Sequence, residues 1–131
     1  MIRWLLIAGF VIASGASAQA EYTAADRAYS NGDIDGALRA YEMQAVEGSG
    51  EALYTLGVIY ARGVDVARDL VTAYKWWCLA AQTGTKHAGR RARGIARPMT
   101  HEQIREAEDL AKRWLAEHPQ GVEFQSCYDR G

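Results

Sequence analysis

Apolar residues recur along this chain at helical spacing, and the recurrence itself repeats. From Leu70 onward, Leu70, Ala73, Tyr74, Trp77, Ala80 and Ala81 fall on one face of a 3.6-residue period. Ile34, Ala37, Leu38, Tyr41 and Ala45 form the same stripe 36 residues earlier. A shift of 36 also aligns Asp33 with Asp69, Gly48 with Gly84 and Ala52 with Ala88. The aspartates stand where a carboxylate accepts the first free amides of a helix. The glycines stand where a left-handed turn closes one. A shorter helix precedes each copy, over Tyr22–Ser30 and Glu51–Arg62, ended by Gly32 and Gly63. Gly57 lies inside the second of these. Glycine costs about 1 kcal/mol there against alanine, so the pattern predicts a close approach by the paired helix.

The stripe continues in smaller residues at Ala88, Ala92 and Ala96 and stops at Pro98. Thr100-His101-Glu102-Gln103 reads as a capping box. A last helix then runs to about Glu117 with Ile104, Ala107, Leu110, Ala111, Trp114 and Leu115 on its apolar side. The expected organisation is a leader over 1–18, a shortened first hairpin over 19–48, a full hairpin over 49–84, a third helix and closing helix over 85–117, and a tail over 118–131.

The first residues follow a different pattern. Arg3 precedes an apolar run from Trp4 to Ala13, and Ala16-Ser17-Ala18 supplies a small-residue cleavage site, with a second after Ala20. This is the pattern of a secretory signal peptide. The run is about half of the ~20 residues a membrane span needs; an uncleaved anchor is the alternative. Export to a periplasm, or secretion, is therefore expected, without stable membrane insertion after cleavage. Cys78 and Cys127 are the only cysteines. In an oxidising compartment they are candidates for one disulfide, the alternative being two free thiols.

The formal net charge is −1, which gives no general attraction to nucleic acid. His87, His101 and His118 lack metal-ligand spacing; the residue four after His101 is Arg105. The cysteines form no C-x-x-C pair. Ser49 lies in Gly48-Ser49-Gly50, a linker without a nucleophile motif. Neither a catalytic group, nor a metal site, nor a cofactor is expected. Trp76 and Trp77 are adjacent on a helix and point about 100° apart, so they form no flat platform. Trp77 is expected in the core and Trp76 half-exposed at best.

The stretch Glu51-Ala52-Leu53-Tyr54-Thr55-Leu56-Gly57-Val58-Ile59-Tyr60, followed by Gly63-Val64, resembles the first half of a Sel1-like repeat. Arg68-Asp69, Ala73, Trp76-Trp77, Ala80-Ala81 and Gly84 resemble its second half. Tyr29 to Gly48 is similar to a trimmed copy, and Met99 to Trp114 to the helix that closes such bacterial proteins. The family is related to the tetratricopeptide repeats. The resemblance implies an all-α fold: a short right-handed α-solenoid of antiparallel helix hairpins with a C-terminal capping helix, used for protein–protein contact. It implies no shared catalytic residues. About three repeats are usually needed for stability, so the closing helix and a Cys78–Cys127 bridge would compensate for a short array.

By the tetratricopeptide arrangement, the first helix of each hairpin lines a groove. That assigns Arg27, Tyr54, Val58, Arg62, Arg90 and Arg97 to a partner-binding face, beside Glu51 and Ala61. Arg90, Arg93 and Arg97 also share a helical face by spacing. Such a face suits an acidic peptide or a C-terminal carboxylate, because the guanidinium fork bonds carboxylates in pairs. A solvated arginine face, or contact with anionic lipid headgroups, are the other readings. The expected function is an adaptor, inhibitor or regulator of an envelope protein. The enzymatic alternative is an envelope protein acting on a cell-wall-related molecule such as a β-lactam.

Overall fold

The structure is a computed structural model and describes residues 24–129. The expected leader and cleavage site lie outside the described residues. Within them the chain is all-α, with six helices and no strand: α1 over 24–30, α2 Ile34–Val46, α3 Gly50–Arg62, α4 Leu70–Gln82, α5 Ala88–Ala96 and α6 His101–Glu117. The helix starts are those the side chains dictate. Asp33 Oδ1 accepts from the Gly36 amide, Ser49 Oγ from Ala52, and Asp69 Oδ1 from Thr72, each at 3.0–3.1 Å. Ser49 thus caps α3. Thr100 and Gln103 form the reciprocal capping box of α6. The repeat-related Gly48 and Gly84 both take left-handed backbone, φ 95° and 81°, where a Cβ would be strained.

Helix α4 is the centre. It packs against α3, α5 and α6, while α2 packs on α3. Seven of its 13 residues are buried, and they run round the helix rather than along one stripe, as expected of a helix covered on several sides. Two clusters meet there. One joins Tyr41, Leu53, Leu56, Trp76, Leu79, Trp114 and Leu115; the other joins Tyr74, Trp77, Cys78, Ala92, Ile104 and Ala107. The alanine stripe of α5 is buried throughout, its small side chains letting that helix lie close to α4.

Trp76 lies in an inter-helix contact, at the buried end of what the sequence allowed. It is 4% exposed, with its ring edge-on to Trp114 at 6.0 Å between centroids. The cause is α6, which returns along α4 and covers the side that Trp76 occupies. Lys75 adds its ammonium 4.1 Å above the same ring. Burial pushes that ammonium down from the ordinary lysine range. Trp77 is buried on the other side of α4, as expected.

Cys78 and Cys127 are joined by a disulfide, S–S 2.12 Å and Cα–Cα 5.8 Å. The tail that carries Cys127 is also clasped by side chains. Gln82 donates to the Gln125 carbonyl at 2.9 Å and accepts from the Gln125 amide at 2.9 Å. Glu108 Oε1 accepts from the Tyr74 hydroxyl, the Ser126 hydroxyl and the Cys127 amide. Burial, and then the bond to Glu108, push the Tyr74 hydroxyl far up from the ordinary tyrosine range. No helix among the described residues is long and apolar enough to cross a membrane.

Candidate binding groove

The groove between α3 and α5 is built on one tryptophan. A Cβ at Gly57 would stand 2.4 Å from Trp77 Cδ1 and 2.5 Å from its Nε1. The missing side chain therefore admits the indole against the α3 backbone. There Trp77 Nε1 donates to the Tyr54 carbonyl at 3.1 Å. With its one polar atom satisfied, the ring serves as an apolar floor. Tyr54 leans over it, centroids 6.2 Å apart and planes tilted by 45°.

Two recesses meet beside this floor, at Tyr54 and His87. One, of about 530 Å³, is lined by Tyr54, Ala61, Arg68, Trp77, Arg90, Arg91, Gly94 and others. The other, of about 740 Å³, runs from Gly50 and Glu51 across Thr83, Thr85 and Lys86. Tyr54 and His87 line both, so the two form one groove. Gly50 closes it beneath. A Cβ there would meet Thr85 Oγ1 at 2.1 Å, so α3 begins pressed against the turn between α4 and α5.

The basic end is pre-arranged. Arg91 Nε donates to the Tyr54 hydroxyl at 3.1 Å, and its guanidinium carbon lies 6.0 Å from the Trp77 ring centre. Arg68 Nε donates to the Ala61 carbonyl at 3.1 Å. Both guanidinium groups are held through Nε, which leaves their Nη edges for a ligand. Among the described residues, Arg68, Arg90 and Arg91 make no ion pair. His87 takes φ 68°, and no other described non-glycine residue has a positive φ. Left-handed backbone costs a side-chain-bearing residue about 1–2 kcal/mol, and such strain concentrates at functional positions.

Of the residues assigned from sequence, Tyr54 and Arg90 line the groove together, with Glu51 and Ala61 on the α3 side. Val58 is half-buried and packs on the Trp77 cluster. Arg27, Arg62 and Arg97 are exposed and line neither recess. Arg97 lies just past α5, as its C-cap, and Arg62 ends α3 near the Tyr29–Asp65 hydrogen bond. Arg68, Lys86, His87 and Arg91 are among the groove residues that sequence reasoning missed. The register held the signal for Arg91. Positions 90, 91 and 94 follow helical spacing away from Ala88, Ala92 and Ala96, whereas His87 precedes α5 in left-handed backbone.

The fold and the groove define a small helical protein with a basic, aromatic-floored cleft. Among the described residues no cluster of histidine, cysteine or acidic side chains is placed to hold a metal ion. Comparisons with protein-family models, curated proteins and solved structures give no match.

Proposed function

We propose that this chain is an exported protein-interaction module of the bacterial envelope, without chemistry of its own, that holds an acidic partner in the α3–α5 groove. In this reading it is a small Sel1-like repeat protein. The hairpins form a short right-handed α-solenoid closed by α6, and the leader over 1–18 directs the chain to the periplasm. The buried disulfide and the leader pattern support that compartment. The observation that carries the reading is the groove itself, in which three arginines that make no ion pair among the described residues line a recess with an apolar floor. Acting as an adaptor, inhibitor or regulator requires only such a surface.

The test is co-purification from envelope extract with the wild type, Arg90→Glu and Arg97→Glu. Both sites are exposed, so both variants should fold. Arg90→Glu should abolish recovery of the partner that the wild type retains, and Arg97→Glu should not. Equal recovery with all three would remove the groove from the function.

A further inference from the structure

Resting on that groove reading, we infer that the occupant is an extended peptide segment of about five residues, with an acidic pair at the Arg68–Arg91 end and an apolar side chain over Trp77. The dimensions come from α3. The groove follows it from Gly50 to Ala61, about 16 Å at 1.5 Å per residue. An extended chain advances about 3.3 Å per residue, so about five residues fill it. Both recesses are open and continuous through Tyr54 and His87, which suits a segment that passes through.

The chemistry is graded along this line. Arg68, from the loop before α4, and Arg90 and Arg91, from α5, line the same recess as Trp77. Arg68 and Arg91 are held through Nε, which leaves their Nη atoms as the donors that a carboxylate accepts in pairs. Two acidic side chains match these three cations better than one. Next to them lie the Trp77 floor, Ile95 and Gly94. A Cβ at Gly94 would meet nothing within 4 Å, so the wall is open there to a partner's side chain. The far end carries Glu51, Lys86, Thr83 and Thr85. There the Lys86 ammonium offsets the Glu51 carboxylate, whereas the other recess carries three arginines and no carboxylate, so the acidic pair belongs in the arginine recess.

The experiment is an NMR titration of the full mature chain with two blocked pentapeptide pools. Both have an apolar residue at the centre and random flanks. One carries an Asp pair at either end, and the other carries an Asn pair in its place. The Trp77 indole N–H is the reporter, with Gly94→Leu and Arg91→Gln run alongside. Leucine has the higher helix propensity and a Cβ at Gly94 meets no atom within 4 Å, so Gly94→Leu should melt no lower than the wild type. The Asp pool should shift the Trp77 resonance, and the Asn pool should bind about tenfold more weakly or less. Arg91→Gln should lose most of that preference, and Gly94→Leu should lose binding to both pools.

Equal binding of the two pools, lost in Gly94→Leu, would keep the groove reading and overturn the acidic inference. Absence of any shift with the Asp pool would overturn the inference. Shifts that persist in Gly94→Leu would overturn the groove reading as well. A stronger response of the same resonances to phosphatidylglycerol vesicles than to the Asp pool would reassign the face to a membrane surface and overturn the peptide.

Discussion

Replacing Gly57 by alanine should destabilise the protein, although it removes a glycine from the middle of a helix. In an ordinary helix interior the change would stabilise by about 1 kcal/mol. Here the new Cβ would fall 2.4–2.8 Å from three atoms of the Trp77 ring. Those contacts need about 1 Å more, and the neighbour is a rigid ring held between helices. Forced overpacking of this kind costs about 1–3 kcal/mol. Moving the indole also breaks its bond to the Tyr54 carbonyl, worth about 1 kcal/mol net. After subtracting the propensity gain, a loss of about 1–3 kcal/mol remains. For a domain of this size that lowers Tm by roughly 4–8 °C per kcal/mol.

Urea unfolding followed by far-UV circular dichroism would measure the loss, with near-UV signal reporting the tryptophans. The same substitution in a Trp77→Leu background separates the causes, as in a double-mutant cycle. There the ring is gone, and Gly57→Ala should become neutral or stabilising. A gain in stability from Gly57→Ala in the wild-type background would refute the close approach of α4 to α3 at this point, and with it the floor of the groove.

Three further outcomes follow from the same contacts. Reducing the Cys78–Cys127 bridge opens a loop whose ends are 49 residues apart, which costs about 4 kcal/mol on the chain-entropy model; urea unfolding with and without reductant should show the midpoint fall, and Cys127→Ser should match the reduced protein. Asp69→Ala removes the cap of α4, where Asp69 accepts from both the amide and the hydroxyl of Thr72, and should cost about 0.5–2 kcal/mol in the same assay. The hydroxyl of Tyr74 is raised in the folded state, so the unfolded chain loses that proton first. The stability it contributes is full below the unfolded tyrosine value of about 10 and is lost as pH rises above it; Tyr74→Phe should flatten the alkaline fall of a pH-dependent unfolding curve, and an unchanged fall would remove Tyr74 as its source.

What could be read from the residues alone was local. The helix starts at Asp33, Asp69 and Thr100, the glycine turns at Gly48 and Gly84, and the alanine stripe of α5 all depend on neighbours within a turn or two. Gly57 was legible for a different reason: an isolated helical glycine carries a cost that packing must offset. The groove was legible only in part. Tyr54 and Arg90 hold equivalent places 36 residues apart, so register brings them together. Arg68 lies in the loop before α4, and no periodicity carries a loop side chain onto a helix face. Arg91 follows from helical spacing only once the buried side of α5 is fixed. The degree to which Trp76 is buried was not legible, because its cover, α6, arrives from about 40 positions later in the chain. The clasp of the tail by Gln82 and Glu108 depends on the same long-range return.

The dominance of α4 connects stability to binding. Every other packed element meets α4 through a different residue or stays one helix removed. Trp77 enters α3 at Gly57, Trp76 faces α6, and Cys78 with Gln82 holds the tail. Burying one helix on several sides supplies a core for a small all-α chain. The groove floor is then part of the protein's most buried helix, not a loop. Its shape is set before a partner arrives, which lowers the ordering cost of binding. The same coupling means that changes under the floor reach the groove. Gly57→Ala should weaken the groove's hold on a ligand as well as the fold, whereas filling the open wall at Gly94 should remove binding and leave the fold intact. That difference separates a pre-formed groove from a face that assembles only around its partner.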